Sequence, residues 1–242
     1  MKAMILAAGL GTRMRPLTLT TPKPLVPVNG KPLIEYHLES LAKAGFSDIV
    51  INHAWLGQKI EDALGDGDRW EVSITYSREL APLETGGGIA KALPLLSVHG
   101  EPFLVINGDV LTDFDYCQLA GLQPDRAHLV LVANPEHNLS GDFDIDEKGA
   151  VHNPEESLYF QGVPNPKVAR SLQRYTFSGV SVINPALFDH VVDSAFSVAP
   201  LFRDAAKKGR LTGQVYQGLW MDIGTMDRLE KAEQILRKTD AT

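Results

Sequence analysis

The 242-residue sequence contains a single cysteine, Cys117, and no long run of apolar residues. One thiol cannot form an internal disulfide or a cysteine metal cluster, and it is typical of the reducing cytoplasm in which we expect the protein to reside. No apolar run approaches the length of a bilayer, so no membrane partner is expected. Positive charge is in deficit, because the formal net charge is −7. We therefore expect no nucleic acid partner.

Several motifs of catalytic sites are missing as well. The seven histidines show no HxxH or HExxH spacing, which argues against a zinc site. No Gly-x-Ser-x-Gly stretch is present to support serine nucleophile chemistry. The dinucleotide fingerprint fails because Met14 stands where its third glycine belongs, and no P-loop Gly-Lys-Ser/Thr occurs.

What is present is the composition of a soluble globular protein, with 44% hydrophobic and 22% charged residues. Periodicity in the first half predicts strands over Ala3–Ala8, Asp48–Asn52, Val72–Tyr76, Pro102–Asn107 and Leu129–Ala133, and helices over Leu33–Ala44, Leu56–Leu64 and Gly86–Leu95. The second half predicts strands over Asp142–Asp146 and Phe177–Ile183 and helices over Ser197–Lys208 and Arg228–Arg237. Alternating strands and helices favour a mostly parallel, doubly wound α/β sheet, which we expect the second half to continue.

The opening stretch Met4–Pro32 carries the strongest functional signal. A short apolar strand runs into a turn containing Gly9 and Gly11, which exposes backbone N–H groups to phosphate oxygens. Arg13 and Lys23 add full positive charges nearby. This stretch therefore predicts a nucleoside-triphosphate site.

The pattern L-x-x-G-x-G-T-R-M-x-P, followed by P-K-P and G-K-P, resembles the sugar-1-phosphate nucleotidylyltransferase family over most of residues 1–235. The resemblance implies a Rossmann-like doubly wound mixed sheet in a single domain, with a nucleotide-binding half at about 1–125 and a sugar-binding part at about 126–242. It also implies Mg²⁺-dependent transfer of a nucleotidyl group from an NTP to a sugar 1-phosphate.

The same resemblance implies roles for individual residues. Arg13 and Lys23 would be catalytic, and Asp109 and Asp222, each after a short apolar run, would hold Mg²⁺. The nucleotide would be bound by Leu6, Ala8, Gly9, Gly11, Thr12, Arg13, Glu79, Thr85 and Gly86. The sugar would be bound by Asn107, Gly141, Asp142, Ser178 and Gly179.

The sequence narrows the identity of the nucleobase without deciding it. A carboxylate at Glu79 can only accept hydrogen bonds, which suits uracil N3–H or guanine N1–H. Glycines at 86, 87 and 88 would let the backbone approach a flat base closely.

The TPKPLVPV and LETGG stretches resemble stand-alone uridylyltransferases that act on N-acetylmuramic acid 1-phosphate in peptidoglycan recycling, so UTP and that sugar phosphate are the expected partners. Mannose-1-phosphate guanylyltransferases are the alternative, and a non-catalytic nucleotide-sugar-sensing subunit is an alternative of another class. Because the chain ends soon after Asp222, we expect no C-terminal left-handed β-helix. A monomer or small homo-oligomer is expected.

One segment looks foreign to the rest. Glu156–Gly162 reads ESLYFQG, which resembles the recognition site of a viral protease used to remove fusion tags. We interpret residues 152–167 as an engineered, exposed loop and draw no functional argument from them.

Overall fold

The apolar run near the N-terminus forms the central strand of the molecule. In the computed structural model, which describes residues 1–154, 159–160, 163–164, 172–189, 191 and 194–239, this strand is Ala3–Leu6. It pairs in parallel with Asp48–His53 on one side and with Phe103–Asn107 on the other. The three strands run in the same direction, so their carboxyl ends lie at one edge of the sheet.

The strands of the described residues are β1 (Ala3–Leu6), β2 (Pro27–Val28), β3 (Lys31–Pro32), β4 (Asp48–His53), β5 (Ser73–Arg78), β6 (Phe103–Asn107), β7 (Val110–Thr112), β8 (Ala127–Val132), β9 (Phe143–Ile145), β10 (Val151–His152), β11 (Tyr159–Phe160), β12 (Val163–Pro164), β13 (Gln173–Ile183), β14 (Leu211–Tyr216) and β15 (Trp220–Asp222). The α-helices are α1 (Leu33–Lys43), α2 (Gly57–Leu64), α3 (Glu84–Leu96), α4 (Ala199–Lys207) and α5 (Met226–Thr239).

One mixed sheet joins both halves of the chain. Its order is β10-β9-β13-β6-β1-β4-β5, with β8 beside β13 and β14 beside β8. The strands from β6 to β5 are parallel, whereas β13 is antiparallel to β6, β8 and β9. The predicted doubly wound α/β fold is therefore confirmed, and the second half does continue the same sheet.

The residues of β1 alternate between two apolar layers, as the two-residue period of a strand requires. Ala3 and Ile5 belong to a buried cluster that includes the apolar faces of α1 and α2. Met4 belongs to a cluster that contains Ile89 of α3 and Phe202 of α4. Helices consequently cover both faces of the sheet.

A third, smaller cluster holds the segment after β1 against the C-terminal helix. Met14 and Val28 pack there against Leu111 of β7, against Ile223, and against Leu229 of α5. All five residues are buried. This cluster fixes the backbone beside Arg13 and beside Asp222, which are far apart in the sequence.

The predicted elements lie within two residues of the observed ones at all but one boundary. The exception is β13, for which periodicity predicts a start at Phe177 and which begins at Gln173. The polar residues Gln173–Tyr175 extend the strand because they pair with Phe143–Ile145. That pairing is a tertiary contact that local periodicity cannot indicate.

Most of the segment interpreted as engineered lies outside the described residues. Within it, β11 and β12 pair as antiparallel strands. Across the described ranges, no helix combines the length and the apolar character needed to cross a membrane.

Candidate active site

A cavity of about 400 Å³ opens where β1, β4 and β6 end. Their residues Leu6, Asn52 and Asn107 are level with one another and all line the cavity. The strand order reverses at this point, because the chain goes from β1 to β4 on one side and returns to β6 on the other. Open α/β sheets bind their ligands at such switch points. The other lining residues are Ala7, Ala8, Gly9, Gly11, Thr12, Arg13, Lys23, Pro24, Pro82, Glu84, Thr85, Gly108, Asp109 and Gly224.

The loop Gly9–Thr12 forms one wall of the cavity and has the shape of a phosphate cradle. Gly11 has the left-handed φ of +62°, and a Cβ there would lie 2.8 Å from Cγ2 of Thr18. The Thr18 hydroxyl donates a hydrogen bond of 2.7 Å to the Gly11 carbonyl and so holds the loop. No described residue accepts a hydrogen bond from the N–H of Gly9 or Gly11. These donors face a cavity in which an anion can accept from them.

Two cationic side chains flank this loop, and only one of them is ion-paired within the described residues. Lys23 forms an ion pair of 2.5 Å with Asp109, and the lysine side chain is only 12% exposed. Arg13 is exposed and forms no ion pair with any described residue. Arg13 can therefore bind a phosphate directly, whereas Lys23 is held in place by a carboxylate.

The two predicted metal ligands are joined by a short two-stranded ladder. β7 pairs antiparallel with β15, which sets Asp222 opposite Val110, and the N–H of Ile223 donates 2.7 Å to the carbonyl of Asp109. Asp109 lines the cavity; Asp222 does not, although Gly224 beside it does. The Asp222 carboxylate accepts a hydrogen bond from Arg228, and it lies 3.1 Å from Nε2 of His137.

The two aspartates fit Mg²⁺ better than a metal that needs a full set of protein ligands. Within the described ranges, no group of three or more His, Cys, Asp or Glu side chains is placed to hold an ion. Mg²⁺ is commonly bound by one or two carboxylates, with phosphate oxygens and water completing the octahedron. Asp109 and Asp222 are the residues that would supply those carboxylates.

A buried histidine lies behind Asp109. His37 of α1 is fully enclosed, and its Nδ1 is 3.1 Å from the hydroxyl of Tyr116. Burial lowers the pKa of His37 to about 4, although the negative charge of Asp109 opposes that shift. The imidazole is therefore neutral at pH 7 and adds no positive charge to the site.

On the predicted base side, the structure does not place Glu79 in the cavity wall. Its carboxylate is buried and accepts hydrogen bonds from Nδ2 of Asn52 at 2.6 Å and from the N–H of Leu83 at 2.9 Å. A group with both oxygens engaged by the protein is not free to read a base. Instead, Glu79 holds Asn52, which does line the cavity.

The glycines of α3 also differ from expectation. A Cβ on Gly86 would lie 2.3 Å from the ring of Phe196, and one on Gly87 would lie 2.4 Å from the carbonyl of Ser194. These glycines admit another part of the protein rather than a flat base. Thr85, which the sequence resemblance assigns to nucleotide binding, lines the cavity together with Glu84, whose φ of +60° is unusual for a residue with a side chain.

Of the five residues predicted to bind the sugar, only Asn107 lines the cavity. Gly179 adjoins it, with a φ of +83°, and a Cβ there would lie 2.7 Å from Nδ2 of Asn107. Asp142 accepts a hydrogen bond of 2.8 Å from the N–H of Phe177, and buried Ser178 accepts one of 3.1 Å from the N–H of Val180. Gly141 is likewise outside the lining, because it packs against Arg174 and Asn134. In this conformation these groups shape the strand ends beside Asn107.

Comparison with known proteins supports what the cavity suggests. The family model described as nucleotidyl transferase matches residues 2–239. The chain belongs to the nucleotidyl transferase family. It is 51% identical to the N-acetylmuramate alpha-1-phosphate uridylyltransferase of Neisseria meningitidis, over 97% of this chain and 98% of that one. It is also 33% identical to the mannose-1-phosphate guanylyltransferase catalytic subunit beta of Drosophila pseudoobscura. That match covers 92% of this chain and 59% of the relative.

Two solved structures resemble this chain in shape over nearly its whole length. A putative glucose-1-phosphate thymidylyltransferase from Bacillus anthracis matches with a TM-score of 0.78 over 98% of this chain and 95% of that one, at 21% identity, and shows the fold alone. HddC from Yersinia pseudotuberculosis, complexed with GMP-PN, matches with a TM-score of 0.73 at 26% identity, over 97% of this chain and 99% of that one. The Rossmann-like architecture predicted from the sequence is therefore confirmed.

This nucleotidyl transferase also contains site residues that no sequence motif marked. Asn52 follows directly on an apolar run near the end of its strand, which was a usable signal. Arg228 and His137, which contact Asp222, gave none, because neither belongs to a recognisable binding motif. Only the folded chain brings them together.

Proposed function

We propose that the protein transfers a uridylyl group from UTP to N-acetylmuramic acid 1-phosphate, giving the UDP-sugar and pyrophosphate. The observation that carries this proposal is the 51% identity to an N-acetylmuramate alpha-1-phosphate uridylyltransferase across nearly the whole of both chains. A cavity at the strand switch point with an unpaired arginine and a glycine loop supports the triphosphate part. The more distant guanylyltransferase relatives make GTP with mannose 1-phosphate the second candidate.

The reaction needs two anions to be brought together. A non-bridging oxygen of the sugar 1-phosphate attacks the α-phosphorus in line, and the bond from that phosphorus to the bridging oxygen breaks. Pyrophosphate leaves with the electron pair, and no covalent enzyme intermediate is required. Catalysis then depends on positioning and on neutralising charge.

Different residues of the cavity would bind different phosphate groups of the two substrates. Arg13 and the Gly9–Thr12 amides bind the β- and γ-phosphates and stabilise the leaving pyrophosphate. Lys23, fixed by Asp109, neutralises charge at the α-phosphate or at the incoming phosphate. When bound by Asp109 and Asp222, Mg²⁺ supplies Lewis-acid neutralisation of the phosphate oxygens between the two substrates.

On the side of the cavity assigned to the base, we no longer expect Glu79 to contact the base itself. We propose instead that Glu79 positions Asn52. Asn52, oriented by Glu79, and Thr85 are the polar side chains of the wall on which we place the uracil. The sugar lies beyond Asn107 and Gly179, in the part of the chain at about 126–242, while residues at about 1–125 bind the nucleotide.

We further propose that the enzyme works in the cytoplasm, in peptidoglycan recycling, as a monomer or small homo-oligomer. A single exposed cysteine suits a reducing compartment, and the recycling role rests on the proposed sugar substrate and on the resemblance described in the sequence analysis. Light scattering on the purified protein reports the oligomeric state.

The deciding experiment measures pyrophosphate release with Mg²⁺ across four NTPs and three sugar 1-phosphates. We expect release with UTP and N-acetylmuramic acid 1-phosphate, reduced about 10²–10³-fold in Asp109→Asn and Asp222→Asn. Asp62→Asn removes an exposed carboxylate on α2 and is the matched control that keeps full activity. Release with GTP and mannose 1-phosphate would move the substrate to the second candidate. No release with any pair would support a nucleotide-sugar sensor instead.

A further inference from the structure

Arg228 has an unusual place for a cation. It is the third residue of α5, and the N-terminal turn of a helix carries partial positive charge, which disfavours a further positive side chain. Nevertheless its side chain is only 15% exposed and points back into the site. A positive charge in such a position needs a neighbouring anion to compensate it, and Asp222 is that anion in this structure.

The contacts of Arg228 occupy only part of its guanidinium group. Nη1 donates to Oδ2 of Asp222 and lies 3.0 Å from Nε2 of His137. His137 in turn lies 3.1 Å from Oδ1 of Asp222, so both oxygens of that carboxylate are engaged. No described residue accepts a hydrogen bond from Nη2.

Nη2 of Arg228 instead faces Arg13 across Gly224. A Cβ on Gly224 would lie 2.5 Å from Nη2 of Arg228 and 3.0 Å from Nη2 of Arg13. The absent side chain at position 224 is therefore what lets the two guanidinium groups approach each other. Gly224 and Arg13 both line the cavity.

Two guanidinium groups approach each other beside the N-terminus of α5; Asp222 pairs with Arg228, and no described carboxylate pairs with Arg13. This excess of positive charge is suited to a ligand with several negative charges, and planar guanidinium donors match phosphate oxygens. Arg228 and His137 also lie against the two oxygens of Asp222, so they compete with Mg²⁺ for the lone pairs of that carboxylate. Release of the Arg228 contact would free lone pairs of Asp222 for the metal and remove a positive charge that repels it.

We propose that Arg228 is a phosphate-binding residue that exchanges between two anions. It is held on Asp222 in the present structure, and it moves to an oxygen of the β- or γ-phosphate, and then of the leaving pyrophosphate, when Asp222 binds Mg²⁺. Together with Arg13 it forms a two-arginine clamp across Gly224. This inference rests on the proposed nucleotidyl transfer, but it does not depend on which base or sugar is used.

The test measures binding of inorganic pyrophosphate, with Mg²⁺ present, by isothermal titration calorimetry. We expect Arg228→Met to weaken binding about 10- to 100-fold, as loss of charged hydrogen bonds implies, and Arg228→Lys to retain part of it. Lys231→Met is the matched control: it removes a positive charge three residues along the same helix, where the side chain is 61% exposed. It should change binding less than about threefold, as weak surface pairs imply.

A second arm tests the exchange without any substrate. Mn²⁺ binding, followed by electron paramagnetic resonance, should be tighter in Arg228→Met than in the wild type, because Asp222 is freed, and unchanged in Lys231→Met. Equal pyrophosphate affinity in Arg228→Met and Lys231→Met would overturn the phosphate role. Weaker or unchanged Mn²⁺ binding in Arg228→Met would overturn the exchange.

These outcomes are separable from failure of the proposed function. If the wild type binds pyrophosphate but releases none from any NTP, the nucleotidyl transfer is wrong while the clamp is still measured. Circular dichroism of each variant establishes that it is folded, and Arg228→Gln replaces the methionine variant if that one is not.

Discussion

The buried carboxylate of Glu79 accepts a hydrogen bond of 2.6 Å from Nδ2 of Asn52, which leaves Oδ1 of Asn52 to accept one of 2.9 Å from the N–H of Ala7. The pair therefore ties β1 and β4 to the segment that precedes α3. Each donor in this arrangement has one acceptor, and both side chains are almost fully enclosed. Such a closed network fixes the orientation of an amide that faces the cavity.

Exchanging the two side chains should restore what either single change removes. Asn52→Asp sets two carboxylates together, and Glu79→Gln sets two amide donors together, so each is expected to lower the unfolding free energy by about 1–3 kcal/mol and to raise KM for the nucleotide. In the double variant the carboxylate now at position 52 accepts from the N–H of Ala7 and from the new amide at position 79, whose carbonyl accepts from Leu83. Urea unfolding of all four proteins measures the coupling. Additive losses would show that the pair is not a unit.

Lys23 should matter to the rate far more than its counterpart in the second proline-braced motif. Lys23→Met is expected to lower kcat/KM about 10²–10³-fold, because it removes a fixed charge from the cavity. Lys31 also forms an ion pair, with Glu39 at 2.6 Å, but on the surface. Lys31→Met should therefore stay within about threefold of the wild type, as weak surface pairs imply. A similar loss in both variants would contradict a specific role for Lys23.

Position 84 should be one where glycine is more stable than alanine. Its φ of +60° is left-handed, a conformation that disfavours a side chain by about 1–2 kcal/mol. Glu84→Gly is expected to unfold with a free energy about 1 kcal/mol higher than Glu84→Ala, which keeps the Cβ. Chemical denaturation of the two variants makes the comparison. Because Glu84 lines the cavity, a change in nucleotide KM in the glycine variant would identify what the strained residue does.

Stability should fall on mild acidification through His37. Burial lowers the pKa of His37 to about 4 in the folded protein, from 6.5 in the unfolded chain. Between these two pH values the unfolded chain binds a proton that the folded protein does not bind. The resulting loss begins as the pH falls below about 6.5 and is complete near 4; between pH 7 and pH 5 it amounts to about 2 kcal/mol. His37→Leu should remove that part of the pH dependence. Parallel slopes for variant and wild type would show that His37 is not responsible.

The sequence was most informative where function depends on contiguous residues. The strand and loop from Ala3 to Arg13 could be predicted because an apolar run, two glycines and an arginine follow one another directly. Their place at the carboxyl edge of the sheet follows from the βαβ order alone.

The contacts of a residue could not be predicted where its partner is distant in the sequence. Gly86 was expected to face a base, but it faces Phe196, more than a hundred residues away. Glu79 was expected to read the base, but Asn52 takes its carboxylate. Arg228 reaches Asp222 and faces Arg13 only because one apolar cluster docks α5 on the segment after β1. No local pattern encodes such contacts.

β13 also limits how this enzyme can be divided. Its eleven residues pair with β6 of the first half and with β8 and β9 of the second. A fragment ending near residue 125 would leave β6 as an open edge with apolar residues on both faces, a surface prone to intermolecular pairing. Recombination between relatives should therefore succeed when it exchanges loops at the strand ends. A split version of the enzyme should not be cut between its two halves.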